Sequence, residues 1–191
     1  MIQYCKRCCL PSTKPHLSFD EEGVCNACRN YENRKNVDWA KRKEELMEIL
    51  DRYRSKDGSN WDCIIPVSGG KDSTYQVITM LELGMNPLCV TATTCDLTPI
   101  GRANIENIKK MGVDYIEMTT NRVVRAKLNR IGLIEVGDIS WPEHVSIFTV
   151  PVRMAVNFNI PLIIWGENSQ NEYGGSAAAV EKNVLERRWL E

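Results

Sequence analysis

"IIPVSGGKDSTY", residues 64–75, passes from an apolar run through Ser68 into two glycines and then into Lys71, Asp72, Ser73 and Thr74. The order reads as strand, tight turn and helix start. Backbone N–H groups of such a turn converge on one spot, and the helix N-terminus adds partial positive charge, so the place suits an anion. Gly69 and Gly70 let the backbone approach that anion closely, and Lys71 adds a full charge. The hydroxyls of Ser68, Ser73 and Thr74 are further candidate donors. A Walker A loop is excluded, because Ile65 stands where its first Gly belongs and Asp72 where its Ser or Thr belongs. A dinucleotide fingerprint is excluded as well, since the chain has no G-x-G-x-x-G at this turn.

Outward from the turn, strand and helix patterns alternate. Residues 62–67 read as a buried strand and 73–83 as a helix stopped by Gly84. A strand at 87–94, a helix at 100–111 stopped by Gly112, a strand at 113–119 and a helix over 121–131 follow. A helix at 142–158, which Pro151 should kink, leads to a last strand at 161–165. Repeated β-α-β units with short connections predict an α/β fold, a parallel sheet with helices on both faces.

Upstream the composition changes. Residues 1–35 hold five of the eight cysteines, several turn formers and no helical or strand period. Cys5-x2-Cys8 and Cys25-x2-Cys28, with sixteen residues between the pairs, fit a four-thiolate zinc pattern. Zinc would supply the folding energy that so short and polar a segment cannot draw from a core. Redox pairs and an iron-sulfur cluster are the competing readings. Cys9 and His16 are spare potential ligands, and Cys63 and Cys89 read as small buried apolar residues with Cys95 at a strand edge. A connecting helix, with Asp38 as its cap and Trp39, Leu46, Ile49, Leu50 and Tyr53 at helical spacing, lies within 36–60. The expected organisation is a zinc unit at 1–35, this connector, and a domain at 61–191.

Composition narrows the function classes. With 191 residues the chain can bury one core of ordinary size, and its net charge of −1 argues against tracking a nucleic-acid backbone. No apolar run approaches the roughly 20 residues of a membrane span, and MIQYCKRCCL is too polar for a signal peptide. A cytoplasmic location is expected, where clustered thiols are metal ligands more often than disulfides. The last residues, GSAAAVEKNVLERRWLE, look helical but lead into no closing element, so the chain is expected to be part of a longer protein.

"SGGKDST" resembles the signature of the PP-loop ATP pyrophosphatases, among them GMP synthetase, NAD synthetase and tRNA-modifying enzymes. The resemblance implies ATP and Mg2+ as cofactors: the loop (Ser68, Gly69, Gly70, Lys71, Asp72, Ser73, Thr74) grips the pyrophosphate, and AMP is left on a substrate oxygen. Asp72 then reads as a Mg2+ ligand, with a carboxylate favoured by the helix dipole as the alternative. Ala92, Thr93 and Thr94, at the end of the second strand, correspond to where such enzymes hold adenine through backbone groups. "WGENSQNEYGG", 165–175, resembles the NAD synthetase loop in which a Gly is followed six positions later by a metal-binding Glu, which matches Gly166 and Glu172; Glu167 is the rival ligand.

The order of the four-cysteine unit, the helix, the PP-loop, "DISWPEHVSIFTVPVRMA" and "IPLIIWGENSQNEYGG" is similar to the N-acetyl sugar amidotransferases of surface-polysaccharide and flagellin-sugar pathways. That resemblance implies conversion of a sugar acetamido group, usually nucleotide-linked, into acetamidino. The ammonia would come from a separate glutaminase working with a cyclase-like partner, and the chain shows no Cys-His-Glu set of its own. His144, within "WPEHV", is a candidate to shape the substrate site or shuttle a proton, against a structural role at a helix start. A PP-loop tRNA thiolase and a non-catalytic zinc- and ATP-binding module are the alternatives. The first usually needs further cysteines after the second strand, and none follows Cys95.

Overall fold

The computed structural model describes residues 1–14, 16–94 and 97–166. The chain divides into two compact units, Met1–Glu45 and Leu46–Gly166.

In the first unit, turns lead through an antiparallel bridge between Phe19 and Cys25 into helix α1, Asn26–Asn33. The sequence pattern gives no helix here, and the reason is physical: α1 buries no residue, so it has no apolar stripe to read. Cys25 is its N-cap and Cys28 lies in its first turn. A short 3-10 turn, Arg34–Asn36, leads on to helix α2, Trp39–Tyr53, which extends into the second unit. Asp38 caps α2 as expected, accepting the Lys41 N–H at 3.0 Å.

The second unit is a three-stranded parallel sheet in the order β1 (Cys63–Pro66), β2 (Pro87–Thr93) and β3 (Asp114–Thr119). Helices α3 (Lys71–Glu82), α4 (Pro99–Lys109), α5 (Arg122–Ile131) and α6 (Trp141–Asn157) fill the connections. Alternate strand residues enter two cores. Cys63, Ile65, Val67 and Cys89 pack with Leu50 of α2, Val77 and Met80 of α3 and Ile108 of α4. Ile64, Leu88 and Val90 point the other way and meet Val150 and Ala155 of α6, with Ile160. The sheet is therefore covered on both faces, as its uninterrupted apolar strands demand. Burying each Ile or Leu contributes about 1.5–3 kcal/mol.

Two expectations are corrected in detail. The strand expected at 161–165 is reduced to a parallel bridge of Ile163 with Ile64, closed by Ile64 N–H to Leu162 O at 2.9 Å and Ile164 N–H to Ile64 O at 2.8 Å. Helix α3 starts at Lys71, two residues before the expected Ser73, because Gly70 in extended conformation serves as N-cap and needs no capping side chain. Pro151 lies buried within α6, which continues through it. Among the described residues no helix is long and apolar enough to cross a membrane.

Candidate functional site

Parallel strands send all their carboxyl ends to one edge, and there the loops meet. The glycine turn leaves β1 at that edge. Gly69 has φ +79, a left-handed conformation that glycine adopts without strain. It also sits close against α4: a Cβ at Gly69 would lie 3.2 Å from Ile105 Cγ1 and 3.3 Å from the Gly101 carbonyl oxygen. So position 69 demands glycine on two counts, conformation and close approach.

The turn is stitched internally. The hydroxyls of Ser73 and Thr74 both donate to the Gly70 carbonyl, at 3.2 and 2.9 Å. Ser68 donates its N–H to Ser73 Oγ and accepts the Gly70 N–H on its own Oγ, each at 3.4 Å. No side chain caps the first turn of α3, so that helix terminus keeps its attraction for an anion. Lys71 Nζ lies 2.7 Å from both carboxylate oxygens of Asp72, and both side chains are largely exposed. An ammonium beside a carboxylate is a donor set that fits a phosphate and a hard divalent cation, once the pair separates to take one each.

The neighbouring strand ends are tied by side chains of which only Thr93 is singled out by the sequence. Glu117 of β3 accepts a forked pair of bonds from Arg102 of α4, at 2.7 and 2.9 Å, and a third from Thr93 Oγ1 at 2.7 Å. Those donors hold the Glu117 carboxyl down at about 2, Arg102 contributing most. Two residues earlier on each strand, Thr91 donates to the Val67 carbonyl and bonds the Tyr115 hydroxyl. The Arg102–Glu117 bond joins α4, the helix behind Gly69, to the strand beside the candidate adenine positions Ala92 and Thr93. Its partners are fifteen residues apart on different elements, and the only sequence signal is an acidic residue in mid-strand.

A helix that feeds a parallel strand runs back across the sheet, which brings the first turn of α6, with His144, towards the same carboxyl edge. His144 is exposed there, and its N–H donates to Ser140 O at 3.1 Å. One turn later Phe148 meets the Trp165 ring, centroids 5.3 Å apart. Gly166 follows Trp165 and faces α3, where the Gln76 Oε1 is buried and has no hydrogen-bond partner among the described residues. Thus the turn, Thr93, Gly166 and, by topology, His144 belong to one edge. Glu167 and Glu172 lie outside the described residues, as does Cys95.

The first unit carries a separate constellation. The Sγ atoms of Cys5, Cys8, Cys25 and Cys28 all lie within 4.8 Å of one another. Cys5–Cys28 is 4.0 Å and Cys8–Cys25 is 3.5 Å, close to the ~3.8 Å that four Zn–S bonds of about 2.3 Å impose in a tetrahedron. Cys5 Sγ accepts the N–H groups of Arg7 and Cys25, at 3.4 and 3.3 Å, which favours a thiolate and so fits a metal. Cys9 turns the chain after the first pair with φ 59 and stays exposed. It and His16 are not in the four-thiol group. Cys63 and Cys89 are buried in the sheet, as expected, and burial pushes each thiol up to about 12.

No protein-family model matches the chain. An uncharacterized protein of Methanocaldococcus jannaschii is 30% identical over 124 residues, covering 60% of this chain and 44% of that protein. Among solved structures, an NH3-dependent NAD synthetase from Campylobacter jejuni subsp. jejuni is similar, with a TM-score of 0.52, 14% identity, and coverage of 70% of this chain and 58% of that one. An NMN synthetase from Francisella tularensis has a TM-score of 0.49 at 14% identity, covering 66% of this chain and 53% of that one. A predicted subunit of a tRNA methyltransferase from Methanocaldococcus jannaschii has 0.42 at 20% identity, with 64% of each chain covered. The chain spans less than two thirds of the length of each.

Proposed function

We infer that the fold shared with the NAD synthetase is that of the PP-loop ATP pyrophosphatases. We propose that the chain belongs to an ATP-dependent, AMP-forming ligase of the amidotransferase kind, which converts the acetamido group of a nucleotide-linked sugar into acetamidino. The observation that carries the ATP-dependent part is the glycine turn: Gly69 held left-handed against α4, an α3 N-terminus without a side-chain cap, and Lys71 and Asp72 in its first turn. The sugar comes from the resemblance of the whole motif order, not from the geometry.

In this reading the amide oxygen attacks the α-phosphorus of ATP and pyrophosphate leaves. Ammonia adds to the resulting imidate carbon, two protons pass to solvent or a base, and AMP departs with the former amide oxygen. The turn N–H groups and Lys71 hold the departing pyrophosphate, whose charge grows as it leaves. Asp72 and Glu172 would hold Mg2+, whose charge would offset part of the charge that builds on the pyrophosphate. Ala92 and Thr93 would flank adenine, Gly166 would precede the proposed Mg2+ ligand Glu172 in sequence, and His144 would move a proton on the substrate side. The four cysteines hold zinc for structure. Ammonia comes from a partner glutaminase with a cyclase-like channel subunit, in the cytoplasm.

Pyrophosphate release, assayed with ATP, Mg2+, ammonium and a panel of nucleotide-linked acetamido sugars, tests the reading. Turnover that needs one such sugar supports it. Turnover with tRNA and a sulfur donor but with no sugar overturns it in favour of a thiolase, and nucleotide binding without release under any condition in favour of a binding module.

A further inference from the structure

One stretch of the second unit has apolar surface that stands exposed among the described residues. Val124, Leu128 and Ile131 stand exposed on α5, and Leu133, Ile134 and Val136 stand exposed on the π-turn that follows, Gly132–Val136. The turn is a built feature and not a frayed helix end. A Cβ at Gly132 would lie 2.6 Å from the Asp138 carbonyl oxygen, the Asp138 N–H donates back to Gly132 O at 3.1 Å, and Gly137 closes the bend with φ 80. A rigid turn that holds three apolar side chains in water is costly unless something covers them.

The charges on this surface say what covers it. Helix α5 carries Arg122, Arg125, Lys127 and Arg130 and no acidic residue. The adjoining residues 132–143 carry Glu135, Asp138 and Glu143 and no basic residue. At 100° per residue, Lys127 and Arg130 share the outward arc of α5 with Val124, Leu128 and Ile131. Among the described residues Lys127, Arg130 and Glu135 enter no ion pair, so these three charges are not spent on each other there. A patch with an apolar floor, one basic half and one acidic half is complementary to itself under a two-fold axis, because each half then meets its opposite on the other copy.

We infer that α5 and the 132–143 stretch form a two-fold interface between two copies of this chain. The basic face of each α5 lies over the acidic turn of the partner copy, and the six apolar side chains from each copy fill the space between.

The test uses two variants of the full chain. In the first, Lys127→Glu and Arg130→Glu make the patch predominantly acidic, with Arg122 and Arg125 retained; in the second, Glu135→Lys makes it predominantly basic. Sedimentation velocity across the micromolar range should show a dimer for the unaltered chain and a dimer constant at least ten-fold weaker for each variant alone. An equimolar mixture of the two should recover the dimer, because each altered half then meets its complement on both sides of the axis. Loss of folding cannot produce that recovery, and circular dichroism of each variant checks the fold separately. A monomeric unaltered chain, or variants that stay as dimeric as the unaltered chain, overturns the inference. So does failure of the folded variants to recombine, or an unaltered chain that remains monomeric while sedimenting with phosphatidylglycerol vesicles, which would assign the face to lipid. None of these outcomes depends on ATP turnover.

Discussion

Gly166 lies directly against the Gln76 carboxamide: a Cβ at position 166 would come within 2.8 Å of Gln76 Oε1 and 3.3 Å of its Cδ. The last described residue after the Ile163 bridge is thus gauged by a side chain on the helix that carries the glycine turn. Gly166→Ala should cost about 1 kcal/mol, since the obstacle is the end of a flexible side chain that can rotate away. Made together with Gln76→Ala, the change should cost less than the two singles added, with a coupling of about 0.5–1 kcal/mol in urea unfolding. Strict additivity would mean that the two do not touch.

Lys71 and Asp72 neutralise each other across 2.7 Å, and under the proposed function a nucleotide with its cation would draw them apart. Lys71→Ala and Asp72→Ala should each lower pyrophosphate release at least ~100-fold. Neither should change zinc content or the urea midpoint appreciably, because both side chains are exposed. Normal turnover in either variant would remove the turn from the chemistry.

Cys25 is buried and is the N-cap residue of α1, so it joins the four-thiol group to that helix. Cys25→Ser should release bound zinc, measured by elemental analysis, and melt the α1 contribution to the far-ultraviolet dichroism. Excess chelator should do the same to the unaltered chain. Protection of Cys63 and Cys89, buried in the second unit, from alkylation gives the control for global unfolding. Retention of one zinc per chain in the variant would contradict the assignment.

Glu117 titrates at about 2 in the folded chain, below its ordinary 4.5, chiefly because Arg102 donates to it. A depressed folded-state value means that the bond stabilises above pH 4.5 and that its contribution is lost as pH falls towards 2. Arg102 is 43% exposed, so solvent screens the pair and about 1 kcal/mol is the expected size. Glu117→Gln should lower the urea midpoint at neutral pH and flatten its decline between pH 5 and 3. An unchanged acid profile would show that the pair carries no linked stability.

Much of this architecture was legible because it rests on local pattern. Ile64, Ile65, Leu88 and Val90 announce two-sided burial by apolar runs alone, and Gly84 and Gly112 punctuate the helices with φ of 72 and 87. Ser68 to Thr74 carry a turn whose chemistry is written in consecutive residues. What escaped was non-local. Helix α1 buries nothing and is organised by two cysteines, so periodicity cannot find it. The Arg102–Glu117–Thr93 set joins three elements, and only the parallel register of β2 and β3 reveals that Glu117 lies beside the end of β2. The role of Gln76 likewise depends on a glycine ninety positions away.

The two sheet cysteines also give the molecule an internal clock. Cys63 and Cys89 sit wholly buried on one face of adjacent strands, where burial pushes both thiols up to about 12, while Cys5, Cys8, Cys25 and Cys28 form the candidate metal group of the other unit. In a zinc-loaded chain, the slow alkylation of Cys63 and Cys89 therefore counts openings of the sheet, residue by residue in a mass spectrum. The faster reaction that follows chelation counts only the other unit, so one reagent times the unfolding of each half of the chain independently.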